Sequence, residues 1–126
     1  MKILSLSIRQ KFFDQIVSGE KQTETREIRP TNGKKYFKYK VDGKLYNADE
    51  ELPEDGDLEL VPIKYDAIKF LTGEYKGKRP FVIVEVKEAK IELLTDENGE
   101  DITYDFEGEE YVASQIVYSL GKIIEV

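Results

Sequence analysis

Ile3, Leu4, Leu6 and Ile8 open the chain with a short apolar strand signal. A helical period follows. Phe12 with Ile16, and Phe13 with Val17, recur four residues apart and predict one apolar stripe on a helix over residues 8–18. Ser7 stands at the N-cap, Gln10 completes a capping-box pattern, and Gly19 sits where a left-handed residue ends a helix. Residues 21–28, rich in Thr, return to a strand pattern that Pro30 closes. Further strands are expected over residues 63–71, 81–91, 102–106, 112–120 and 123–126. Among these, Phe81-Val82-Ile83-Val84 is apolar on both faces, as in a central strand.

Turn signals recur at Asn32-Gly33, Asp42-Gly43, Asp55-Gly56 and Asn98-Gly99. The sharpest, Asp42-Gly43, predicts a hairpin over residues 36–46 in which Val41 faces Lys44 and Tyr39 faces Tyr46. Residues 47–61, acidic and carrying Pro53, read as an exposed loop. One early helix among many strands suggests an α+β, mainly β chain. The expected architecture is a small mixed β-barrel, since no second or third crossover helix is visible for a doubly wound sheet.

Length and composition narrow the picture. The 126 residues fit a single domain over 1–126, with 40% hydrophobic residues for a core and 36% charged residues for its surface. No stretch approaches the roughly 18 apolar residues of a membrane span. The opening strand runs too soon into Arg9 and Lys11 to be a secretory leader, so a cytoplasmic protein is expected. The chain has neither Cys nor His. Disulfides, thiolate nucleophiles, histidine-based triads and the usual zinc ligand sets are therefore excluded. Acid–base chemistry would fall to carboxylates, Lys or Tyr, and neither a metal nor a cofactor is expected.

The net charge of −7 hides an asymmetry. Residues 1–46 hold 11 basic and 5 acidic side chains, whereas residues 47–61 hold 7 acids and no base. Residues 62–90 hold 7 bases and 4 acids, and residues 91–126 hold 10 acids against Lys122 alone. A bulk excess of acid argues against indiscriminate polyanion binding, yet leaves room for one positive face built from the first and third segments.

Candidate chemistry concentrates just past the helix, in Gly19-Glu20-Lys21-Gln22-Thr23-Glu24-Thr25-Arg26. In a strand, Gln22, Glu24, Arg26 and Ile28 share one face. A lysine and an arginine there suit an anionic or carbonyl-bearing ligand, and the carboxylate can orient them or accept from a base edge. An ion pair that sets strand register would leave the same pattern.

Gly19, Lys21, Glu24 and Arg26 match the G-x-K-x-x-E-x-R signature of ASCH domains. The preceding strand and helix resemble that family too, and the closing Tyr118-Ser119-Leu120-Gly121-Lys122-Ile123-Ile124-Glu125 is similar to its C-terminal strands. The resemblance covers about the first 30 and the last 10 residues; residues 31–62 look like an insertion holding the hairpin and the acidic loop. It implies a PUA-like barrel with the helix packed at its mouth and a cleft lined by the motif, in a family that mainly binds RNA or nucleotides. Some members are small amidohydrolases of acylated cytidine. They use the motif lysine, a threonine three residues later and a more distant glutamate. Lys21 matches the lysine, Glu24 stands in the threonine position, and the distant glutamate has no assigned counterpart.

The expected ligand residues are Gly19, Lys21, Glu24 and Arg26, with Tyr65 at the start of a later strand and Arg79 from the turn Lys76-Gly77-Lys78-Arg79. Lys38, Lys40 and Lys78 would form a nucleic-acid rim. In the hairpin, Tyr36, Lys38 and Lys40 alternate with Phe37, Tyr39 and Val41, a pattern suited to stacking bases beside phosphates or to covering a barrel. The leading expectation is a monomeric RNA- or nucleotide-binding domain with no membrane partner. Two alternatives are a metal-independent amidohydrolase acting on acylated nucleosides through Lys21 and Glu24, and an interaction module that uses its acidic C-terminal half.

Overall fold

A computed structural model of the chain describes residues 1–73 and 79–126. Its elements run β1 (Ile3–Ser7), α1 (Gln10–Ser18), β2 (Thr23–Ile28), α2 (Gly33–Tyr36), β3 (Phe37–Val41), β4 (Lys44–Asn47), β5 (Leu58–Pro62), β6 (Ala67–Leu71), β7 (Phe81–Leu93), β8 (Thr103–Phe106), β9 (Glu109–Val112) and β10 (Ser114–Glu125). With 54% strand and 11% helix, the class is α+β, mainly β, as expected. No helix of the described residues is long and apolar enough to cross a membrane. Contacts divide the chain into two compact units, whose boundaries fall within β2, β7 and β10 and between β5 and β6.

The first unit comprises Met1–Glu24, Lys64–Ala89 and Tyr118–Val126. All five strands of the order β1-β6-β7-β10-β2 contribute to it, and the expected barrel takes the form of a curled half-barrel sheet. The sheet is mixed. β1 runs parallel to β6, with Leu4 opposite Ile68 and Leu6 opposite Phe70, and β6 runs antiparallel to β7. Leu4 and Leu6 of β1, and Ile116, Tyr118 and Leu120 of β10, are buried at alternate positions. Ala67 and Ile68 of β6, and Val82, Ile83 and Val84 of β7, are buried in succession, as in central strands.

Helix α1 begins two residues later than the sequence predicts. The Ile8 N–H donates to the Leu71 carbonyl at 2.9 Å, so the backbone is still engaged with β6 when the helix was due to start. Arg9 occupies the cap without a side-chain bond. Gln10 donates to Asp14 at 2.8 Å instead of closing a capping box. Phe13 and Ile16 are buried, whereas Phe12 and Val17 are each 40% exposed, so the apolar stripe is half as wide as its periodicity implied. Gly19 ends the helix at φ 86°, its N–H reaching the Ile16 carbonyl at 3.2 Å.

The second unit comprises Thr25–Ile63 and Lys90–Val117. Asp42 and Gly43 both adopt positive φ and turn β3 into β4 in the expected register, with Val41 opposite Lys44 and Tyr39 opposite Tyr46. Four expectations change. Tyr36 is the buried last residue of the single turn α2, not the first of a strand. The acidic segment is a loop only as far as Asp57, because β5 pairs with β3 and places Leu58 opposite Val41. A second tight hairpin joins β8 to β9 through Glu107 and Gly108, again at positive φ. The two strands expected near the C-terminus are one, β10, running unbroken through Gly121.

Candidate functional site

Between Gly19 and β2 the chain turns under local restraint. The Lys21 N–H reaches back to the Gln15 carbonyl at 3.0 Å, the Gln22 side chain donates to the Gly19 carbonyl at 3.4 Å, and the Gln22 carbonyl accepts from the Leu120 N–H at 2.9 Å. These bonds leave Lys21 partly exposed at the junction. Its Nζ lies 3.8 Å from Glu24 Oε2 and 5.5 Å from the centre of the Phe12 ring. Glu24 is buried, Arg26 half-buried and Ile28 buried, while Thr23, Thr25 and Glu27 are exposed, so the face shared by Glu24, Arg26 and Ile28 is the inner one.

Gly19, Lys21 and Gln22 open onto a cleft of about 570 Å³ within the first unit. Ile16 of α1, Val84 of β7, and Leu120 and Ile123 of β10 supply its apolar part. Its charged part is Lys21, Glu85, Lys87 and Lys122. Three lysines against one carboxylate make this cleft locally positive in a chain of net charge −7. Lys87 and Lys122 are exposed, whereas Lys21 and Glu85 are half-buried. Gly121 has a steric task here: a Cβ built on it would collide with Glu85 Oε1 and come within 3.1 Å of Glu85 Cδ.

The remaining expected site residues fall elsewhere. Glu24 is not in the cleft wall; it holds Lys21 from the sheet side. Arg26 belongs to the second unit. Tyr65 lines a separate hollow of about 530 Å³ with Met1, Lys64, Asp66, Val86 and Ile124, bordered by Glu85 as well. The Lys2 Nζ lies 5.5 Å from the Tyr65 ring centre, and the Lys2 N–H donates to Asp66 at 2.7 Å. Arg79 donates to Ser7 Oγ at 3.2 Å and to the carbonyls of Thr72 and Leu71 at 3.3 and 3.5 Å, which ties the ends of β1 and β6 together. Lys38 and Lys40 are half-buried on β3, the middle strand of its sheet, where Lys40 faces Glu59. Lys78 lies outside the described residues, as does most of the turn patch.

The aromatic platform of the hairpin is smaller than its sequence suggests. Tyr36 and Phe37 are buried, and Phe37 packs edge-on against Tyr39 with ring centres 5.1 Å apart. Partial burial raises the Tyr39 phenol above its ordinary pKa. Tyr46 is half-buried, with Lys44 Nζ 5.4 Å from its ring centre.

Glu85, Lys87 and Lys122 are the cleft residues that motif reasoning missed. A signal existed: the four-residue apolar run at the start of β7 breaks into Glu85-Val86-Lys87, where polar residues return every second position. Among the described residues no group of acidic side chains could hold a metal ion. Comparison with known proteins finds no matching family model, no matching curated protein and no matching solved structure.

Proposed function

We propose that the chain is a small RNA- or nucleotide-binding domain of the ASCH kind, with a PUA-like fold, and that its ligand occupies the cleft beside Lys21. One observation carries this: the polar segment after α1 opens onto a solvent-reachable hollow where Lys21, Lys87 and Lys122 gather. A volume of about 570 Å³ suits a single nucleotide, since small-molecule sites run from roughly 300 to 1,000 Å³. The lysines supply attraction to phosphate, and the apolar side chains supply a surface for a planar ring. The domain is taken to act as a cytoplasmic monomer.

Titration of labelled single-stranded RNA and of mononucleotides at several salt concentrations tests this function. Affinity is expected to fall steeply as salt rises, and the double variant Lys21→Ala/Lys122→Ala to bind weakly under all conditions. Absence of binding to either probe at low salt overturns the proposal.

A second function, removal of an acyl group from a nucleoside, is favoured by the carboxylates around Lys21. Glu24 holds its ammonium at 3.8 Å, and Glu85 shares the cleft. Once its ammonium has passed a proton to a neighbouring carboxylate, the Lys21 amine could act as nucleophile or base, with that carboxylate as the proton carrier. Turnover of acylated nucleosides by the wild type and its loss in Lys21→Ala would support this chemistry; equal turnover by both proteins removes Lys21 from it.

A further inference from the structure

Three charged side chains of the cleft are uncommitted. Glu85, Lys87 and Lys122 make no ion pair and no side-chain hydrogen bond with another described residue, whereas Lys21 is engaged by Glu24. Glu85 is the only acid among them; it is half-buried in the cleft wall, and its carboxylate is left to accept from whatever enters. Its place is built into the sheet. Gly121 does not adopt positive φ, so no backbone conformation demands a glycine there. A Cβ there would crowd the Glu85 carboxylate, and the flexible Glu85 side chain would have to shift to make room. The bare Cα on β10 thus lets a β7 carboxylate lie across it into the cleft.

A carboxylate only accepts hydrogen bonds, and its two oxygens best match two parallel N–H donors on neighbouring atoms. Among the RNA bases, guanine alone presents such a pair, N1–H and N2–H. Cytosine and adenine set an acceptor nitrogen beside their exocyclic amine, which would face the second carboxylate oxygen. Uracil flanks its single donor with two carbonyls. Resting on the nucleotide-binding function proposed above, we infer that the cleft selects guanine nucleotides: Glu85 pairs with the Watson–Crick edge of guanine, and Lys87 and Lys122 hold the phosphate.

Calorimetric titration of the chain with GMP, AMP, CMP, UMP and guanosine tests this. GMP is expected to bind about 10- to 100-fold more tightly than the other three nucleotides, and guanosine more weakly than GMP. Glu85→Gln is expected to reduce the preference to within about threefold. Gly121→Ala should do the same by displacing the carboxylate, and Lys122→Ala should weaken all four nucleotides alike. Equal affinity for the four in the wild type, or an undiminished preference in folded Glu85→Gln, overturns the guanine assignment and leaves nucleotide binding standing. If no mononucleotide binds, the assignment falls. Single-stranded RNA titrated in parallel then shows whether the broader function falls with it.

Discussion

Glu24 and Lys21 show how differently two members of one motif are used. Lys21 faces the cleft with 23% of its side chain exposed, while Glu24 has 9% exposed and stands behind it. Removing the carboxylate empties a buried polar position, whereas removing the lysine shortens a side chain that water already reaches. Glu24→Ala is therefore expected to lower unfolding free energy by about 1–3 kcal/mol, and Lys21→Ala by less than about 1 kcal/mol. Chemical denaturation of the two variants checks the order, and a larger loss in Lys21→Ala would contradict it. This division was only half legible in the sequence. Strand alternation placed Glu24 and Arg26 on one face, but no spacing rule could say that this face is the inner one.

Among the elements, the tight hairpins carry the clearest local physics. At Gly43, with φ 85°, a side chain forces a left-handed conformation that costs roughly 1–2 kcal/mol, so Gly43→Ala should lower the denaturation midpoint accordingly. Glu107 already bears that cost at φ 49°, and asparagine tolerates this region better. Glu107→Asn is expected to raise Tm by a few degrees; a lower Tm would show that Glu107 makes a compensating contact. Across this hairpin Tyr104 stacks on Tyr111 with ring centres 5.8 Å apart, and Arg29 covers Tyr104 at 4.4 Å. The Tyr111 hydroxyl donates to Glu109 at 3.0 Å, and that bond, more than desolvation or nearby charge, raises its pKa. A raised folded-state pKa gives stability that is intact below the ordinary tyrosine value of 10.0 and is lost as pH climbs through the folded value. In an ultraviolet titration Tyr111→Phe should remove one late-ionising phenol, and Glu109→Gln should make the Tyr111 phenol ionise earlier.

The distribution of charge matters most for the molecule as a whole. Its acidic excess sits mainly in residues 47–61 and 91–126, so the positive cleft is a local exception. Binding driven by that exception should weaken with salt by a slope set by a few lysines, and the Lys87→Ala/Lys122→Ala pair should flatten it. Fluorescence titrations at three or more ionic strengths read the slope directly; an unchanged slope would place the phosphate contacts elsewhere. Arg79 is the cautionary case. The sequence offers it as a ligand-binding cation, yet its guanidinium donates to Ser7, Leu71 and Thr72.

Local rules alone determined the class, the helix end at Gly19, the strand face of Glu24 and the register across Asp42-Gly43. Each follows from backbone sterics or side-chain alternation within a few residues. Tertiary structure decided the rest. β5 exists because β3 offers it a partner, and Glu85, Lys87 and Lys122 meet Lys21 because β7 and β10 return past the end of α1. Those residues lie more than sixty positions from Lys21 along the chain. No periodicity reaches that far; only the packing of strands brings them together.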